Sequence, residues 1–108
     1  MTYKAVHRFA HISPRKVRPV ADLIRGKLAD EALEILQFLP HRGARMLEKV
    51  LRSALANAED RRAPNLNTLV VKDVRVDPGP MFGRLRPRAR GMAHVIQRRM
   101  SHIRVDLE

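Results

Sequence analysis

The chain contains no cysteine and no tryptophan, and only one tyrosine and three phenylalanines among 108 residues. Without cysteine there is neither a disulfide framework nor a thiolate metal site. With aromatics at 4%, a sheet that stacks nucleic-acid bases on its rings is excluded, and polyanion contact must rest on phosphates and shape. No apolar run approaches the ~20 residues that span a bilayer. The first residues also lack the apolar core of a secretory signal, so the expectation is a soluble, cytoplasmic chain that does not engage membranes.

Acidic residues are missing from one long stretch. Residues 75 to 104 hold eight arginines (Arg75, Arg84, Arg86, Arg88, Arg90, Arg98, Arg99 and Arg104) against the single acid Asp77, with Pro78, Gly79, Pro80, Gly83, Pro87 and Gly91 interspersed. Such a run buries little apolar surface and repels itself unless a polyanion surrounds it. Residues 1 to 26 carry six basic groups and one acid, whereas residues 27 to 62 carry seven and six. The balanced middle reads as packed helices and the basic flanks as contact surfaces. The net charge of +11 favours binding by phosphate neutralisation and counterion release. Arginine, with its planar fork, suits structured nucleic acid better than a lipid surface, which would need an unbroken basic amphipathic helix.

The length and the 44% hydrophobic content allow one domain with one modest core. Residues 3 to 12 alternate loosely and are expected to form a strand with Tyr3, Ala5 and Phe9 in phase. Ser13-Pro14 reads as an N-cap followed by proline at the first helical position. Val17, Val20, Ala21 and Ile24 make one apolar stripe of a helix that ends at Gly26. Pro19 conflicts with that helix and predicts a bend or a late start. Asp30 is expected to cap a second helix through Phe38, with Ala32, Leu33, Leu36 and Leu39 inward and Pro40 stopping it. A third helix spans roughly 41 to 60, burying Leu47, Val50, Leu51, Ala54, Leu55 and Ala58, with Arg45, Glu48, Lys49, Arg52 and Glu59 in water.

Leu69 to Asp77 and residues 95 to 107 read as two strands that bracket the basic stretch. The expected fold is α+β: three helices packed on a small antiparallel sheet, with a long protruding β-hairpin. Within a single domain 1–108, the globular part is 1–76 and 96–108 and the hairpin about 77–95. Arg84, Arg86, Arg88 and Arg90 recur at every second residue, so an extended strand would set all four on one side as a ladder for a phosphate backbone.

Other chemistries find little support. The five histidines, His7, His11, His41, His94 and His102, have no convincing metal-ligand spacing. The serines Ser13, Ser53 and Ser101 show no nucleophile arrangement, and the acids sit beside Lys and Arg as ion-pair partners. Neither a catalytic residue nor a cofactor nor a metal is expected. The residues alone leave two readings, a structural RNA-binding protein and a free-standing nucleic-acid-binding module; the second would present its basic residues on a helix that reads a groove.

Six segments narrow this choice: Ser13-Pro-Arg-Lys-Val-Arg, Ala21-Asp-Leu-Ile-Arg-Gly-Lys, Glu48-Lys-Val-Leu-Arg-Ser-Ala-Leu-Ala-Asn-Ala-Glu, Val76-Asp-Pro-Gly-Pro, Arg86-Pro-Arg-Ala-Arg-Gly and Ser101-His-Ile. In order and spacing they resemble the bacterial large-subunit ribosomal protein L twenty-two family. The resemblance implies a non-enzymatic constituent of the large ribosomal subunit that binds 23S-type ribosomal RNA and touches neighbouring ribosomal proteins. Its globular part would sit near the exit of the nascent-peptide tunnel. The hairpin tip, with Gly83, Arg84, Arg86, Arg88, Arg90 and Gly91, would line the tunnel wall beside the nascent polypeptide. Arg8, Arg15, Lys16, Arg18 and Arg25 would contact RNA from the globular side, and Arg98, Arg99 and His102 from the returning strand. No homo-oligomer is expected. The chain departs from the family pattern at Pro19, at Gly83, at Met92 to Val95 and at Met100.

Overall fold

In a computed structural model, the apolar periodicities become three helices on one face of a three-stranded antiparallel sheet. The structure describes residues 2–87 and 89–108, and the side chains of all of these except 82, 84, 86, 87, 89 and 93–97. The strands are β1 (Tyr3–Ala10), β2 (Val71–Pro87) and β3 (Ala93–Leu107); the helices are α1 (Pro14–Ile24), α2 (Ala29–Phe38) and α3 (Arg42–Asp60). Strand order is β1-β3-β2, so the last strand is the middle one.

Period-two alternation divides the sheet into two faces. Val71, Val74, Val76, Ile103, Val105, Leu107, Tyr3 and Ala5 turn inward and are buried against Val17, Ile24, Leu36, Leu47 and Leu51 of the helices. Asp73, Arg75, Arg104, Asp106 and Lys4 take the alternate positions on the uncovered face. In α3 the stripe Leu47, Val50, Leu51, Ala54 and Ala58 is buried as its spacing predicts, with Leu55 half-buried.

Three bulges interrupt the ladders, and each re-aims a neighbour. Arg8 and Phe9 together oppose His102, and Phe9 takes φ 59° there. The expected phase of Tyr3, Ala5 and Phe9 is therefore broken, and Phe9 is 55% exposed while Ala10 is buried. Its N–H donates to His102 Nδ1 at 3.1 Å, and its ring meets the imidazole edge-on with centroids 5.0 Å apart. A second bulge sets Gly79 and Pro80 opposite Met100. A Cβ on Gly79 would lie 3.3 Å from the Met100 backbone, so glycine permits this close approach. The third is at Lys72.

The helix starts differ from expectation in instructive ways. Ser13 holds the N-cap position of α1, but its hydroxyl makes no cap bond; only its carbonyl serves, accepting from Lys16 N–H at 3.0 Å. Pro19 neither delays nor divides α1, which runs unbroken from Pro14. The proline is exposed, and burial of the opposite stripe outweighs the one lost hydrogen bond. The N-cap position of α2 is Leu28, not Asp30. That start is fixed by pairing of Leu28 with Val70 and by Ala29 N–H donating to Leu69 O at 2.9 Å. Asp30 falls instead in the first turn, where a carboxylate complements the helix dipole.

Ser101 explains part of the Ser-His-Ile segment. It is fully buried, and its Oγ donates to Ile12 O at 2.6 Å, tying β3 to the loop before α1. Ser101→Ala should strand that carbonyl and lower stability by about 1–3 kcal/mol, read as a lower urea midpoint at unchanged slope.

Candidate nucleic-acid interface

Past the helices, β2 and β3 continue as a two-stranded ribbon, pairing from Met81↔Arg99 to Pro87↔Ala93, and the molecule measures 64 Å in its long dimension. From Pro78 to Ile103 the sequence holds no Asp or Glu. Arg84 and Arg86 occupy alternate positions of β2 opposite Ile96 and His94, with Gly83 opposite Gln97. Arg98 and Arg99 are exposed on β3.

The four-arginine ladder does not extend as a single strand. β2 ends at Pro87, and Arg90 lies in a short 3-10 turn, Ala89–Gly91, with φ 62° and with Gly91 at φ 71°. Two consecutive left-handed residues reverse the chain, so Arg90 leaves the alternation. Arg88 lies outside the described residues, as do the side chains of Arg84 and Arg86. The ribbon also exposes apolar residues: Met81, Leu85 and Met92 are 53%, 76% and 62% exposed. Their signal was the interleaving of apolar residues with the arginines. Exposed apolar side chains along a basic ribbon call for a partner that touches both.

The basic residues on α1 split into two kinds. Arg15 and Lys16 are exposed and, among the described residues, form no ion pair or side-chain hydrogen bond. Arg18 and the C-cap residue Arg25, about two helical turns apart, reach instead to β2. Arg18 donates through Nε and Nη2 to Val76 O at 3.3 and 3.2 Å, and Arg25 through Nη2 to Val74 O at 2.7 Å. β2 is an edge strand, and these carbonyls belong to its unpaired side, where they would otherwise invite another strand. The opposite edge is treated alike, since Asn57 of α3 donates to Lys4 O at 2.7 Å. Arg45 of α3 donates to the carbonyls of Leu36 and Leu39 at the end of α2, satisfying orphan acceptors and complementing the dipole.

Arg8 is exposed beside the β1 bulge. His102 is half-buried with Nδ1 engaged by Phe9, which leaves only Nε2 for an outside contact.

Acids gather on the body. Asp106 accepts from Arg104 at 3.0 Å and raises the Arg104 pKa above its ordinary value. Asp73 lies 3.5 Å from Arg75 and 3.6 Å from Arg25. Lys72, 3.0 Å from Glu108, holds that carboxyl below its ordinary value. On the body, Lys72, Arg75 and Arg104 are thus paired with acids, whereas the ribbon's cations have no acid near them in sequence or across the ladder. Among the described residues no cluster of His, Asp or Glu is arranged to hold a metal, and no helix is long and apolar enough to cross a membrane.

The chain has sequence relatives among known proteins. Residues 5–108 match the family model described as ribosomal protein L22p/L17e. The chain is 57% identical to the large ribosomal subunit protein uL22 of Rhodopirellula baltica, over 97% of this chain and 92% of the relative. It is 53% identical to the uL22 of Caldicellulosiruptor saccharolyticus, over 96% and 85% of the two chains. To the uL22 of Akkermansia muciniphila it is 50% identical, over 99% and 96%.

Proposed function

Because the chain belongs to the ribosomal protein L22p/L17e family, whose members are large-subunit ribosomal proteins and not enzymes, we propose that it binds 23S-type ribosomal RNA and helps build the nascent-peptide tunnel. The globular part, residues 1–76 and 96–108, sits near the tunnel exit. The hairpin, about residues 77–95, enters the RNA, and its tip lines the tunnel wall beside the nascent polypeptide. Neighbouring ribosomal proteins contact the body.

The observation that carries this reading is the two-stranded ribbon with six arginines and no acid between Pro78 and Ile103. Its mechanism is electrostatic and steric: guanidinium groups neutralise phosphates where RNA segments converge, and counterion release supplies much of the free energy. Arg84, Arg86, Arg88, Arg90, Arg98 and Arg99 meet those phosphates on the ribbon; Arg8, Arg15, Lys16 and His102 meet them at its root. Arg18 reaches RNA with the donors that β2 does not use, and Arg25, whose Nη1 also bonds Asp22 at 2.7 Å, with those that β2 and Asp22 leave. A groove-reading module is disfavoured because the long helix α3 directs Arg45 and Arg52 into bonds with its own fold.

Sedimentation separates the two readings. Co-migration with large subunits through a high-salt wash is expected, and a slow-sedimenting pool would overturn the assignment. The tunnel position has its own test, since Met92→Cys introduces the only thiol in the chain. A cross-linker at that thiol should capture nascent polypeptide in stalled ribosomes. Capture of RNA alone would remove the tip from the tunnel wall.

A further inference from the structure

Where the first turn of α1 meets the root of the hairpin, a cavity of about 360 Å³ opens, lined by residues that include Ser13, Arg15, Arg18, Gly79, Arg99 and Met100. Its three arginines come from two separate elements, α1 and β3, and among the described residues no acid lines it. We infer that this cavity seats one RNA phosphate, held jointly by Arg15, Arg18 and Arg99. The inference rests on the ribosomal-RNA reading above and identifies a single shared site within it.

Four features of the cavity fit a bound phosphate. Arg18 is already oriented by its two bonds to Val76 O, which leaves its Nη1 donors directed elsewhere. The Ser13 hydroxyl makes no cap bond and is available as a donor. The first turn of α1 contains no acidic residue to neutralise the positive end of the helix dipole, and the Arg15 amide has no carbonyl to bond within the helix. Finally, the Gly79–Pro80 bulge closes against Met100, and the adjacent Arg99 lines the same cavity as Arg15 and Arg18 of α1. A phosphate seated here bridges the body and the hairpin, so it fixes the angle at which the hairpin leaves the body.

A shared phosphate has a signature that independent phosphates lack. Filter binding to a 23S-type ribosomal RNA transcript would be measured across a salt series for the unaltered chain, Arg15→Gln, Arg99→Gln and the double variant. Neither side chain bonds to the described fold, so unfolding midpoints should be unchanged. Each single change is expected to weaken binding roughly tenfold, as for loss of a hydrogen bond to a charged group. The double variant should fall well short of the product of the two. The slope of log affinity against log salt should drop by about 0.7–0.9 in single and double variants alike, one phosphate's worth. Multiplicative losses with a doubled slope change would mean that the arginines hold separate phosphates, and unchanged affinity would mean that they hold none; either result overturns the inference. If the unaltered chain does not bind the transcript, the ribosomal-RNA reading fails, and the cavity's assignment fails with it.

Discussion

Ile103→Ala should lower the stability of the free protein by about 2–5 kcal/mol, the range for truncating a fully buried aliphatic side chain. Ile103 has no solvent exposure and sits on the middle strand, between His7 of β1 and Val76 of β2. Its removal opens a cavity that neither flanking strand can close without breaking register. Domains of this size retain only about 5–15 kcal/mol in total, so the loss is a large share. With roughly 4–8 °C of melting temperature per kcal/mol, a fall on the order of 10 °C or more is expected by calorimetry. Val6→Ala is the matched control. Val6 pairs with Arg104 one position further along the same ladder and is 50% exposed, so it should change stability by about 0.5 kcal/mol or less. Equal losses from the two substitutions would contradict the division of the sheet into a buried and a wet face.

That division was legible in the sequence because alternation at Val74, Val76, Ile103, Val105 and Leu107 is a local property. So was the α3 stripe, and so were the proline and glycine that bound α1. Strand order was not legible: Tyr3–Ala10 pairs with β3 rather than with a sequence neighbour, and no local pattern names a strand's partner. The bulges escaped for a related reason, since an extra residue at Phe9 is needed only because His102 and Ser101 lie opposite. The candidate interface was legible in charge and blurred in detail. An arginine reads the same whether its donors go to a phosphate or to a carbonyl. Arg18, Arg25 and Arg45 therefore looked like surface cations, although each also closes an exposed strand edge or a helix end. Arg90 looked like the fourth rung of a ladder because spacing carries no record of where a strand stops.

Removing the ribbon's charge should have the largest functional effect. Arg86→Ala, Arg88→Ala and Arg90→Ala combined should reduce affinity for a 23S-type ribosomal RNA transcript. Every phosphate left without its arginine should flatten the salt dependence by up to ~0.9 on the duplex scale and ~0.7 on single strands. Loss of three contacts therefore weakens binding most at low salt, and the gap to the unaltered chain should narrow by roughly 20–40-fold between about 50 and 200 mM salt. The turn geometry refines the expectation. Arg86 lies on β2 and Arg90 in the left-handed turn, so the two cannot follow one straight backbone and are expected to address different RNA segments. Restoring either one alone should then recover about one phosphate's worth of slope, independently of the other. The folded body contains none of the three, so its melting temperature should be unchanged and a binding loss cannot be ascribed to unfolding. An unaltered salt slope in the triple variant would mean that these arginines face the tunnel lumen rather than phosphate, leaving Arg98, Arg99 and the root cavity as the ribbon's grip on RNA.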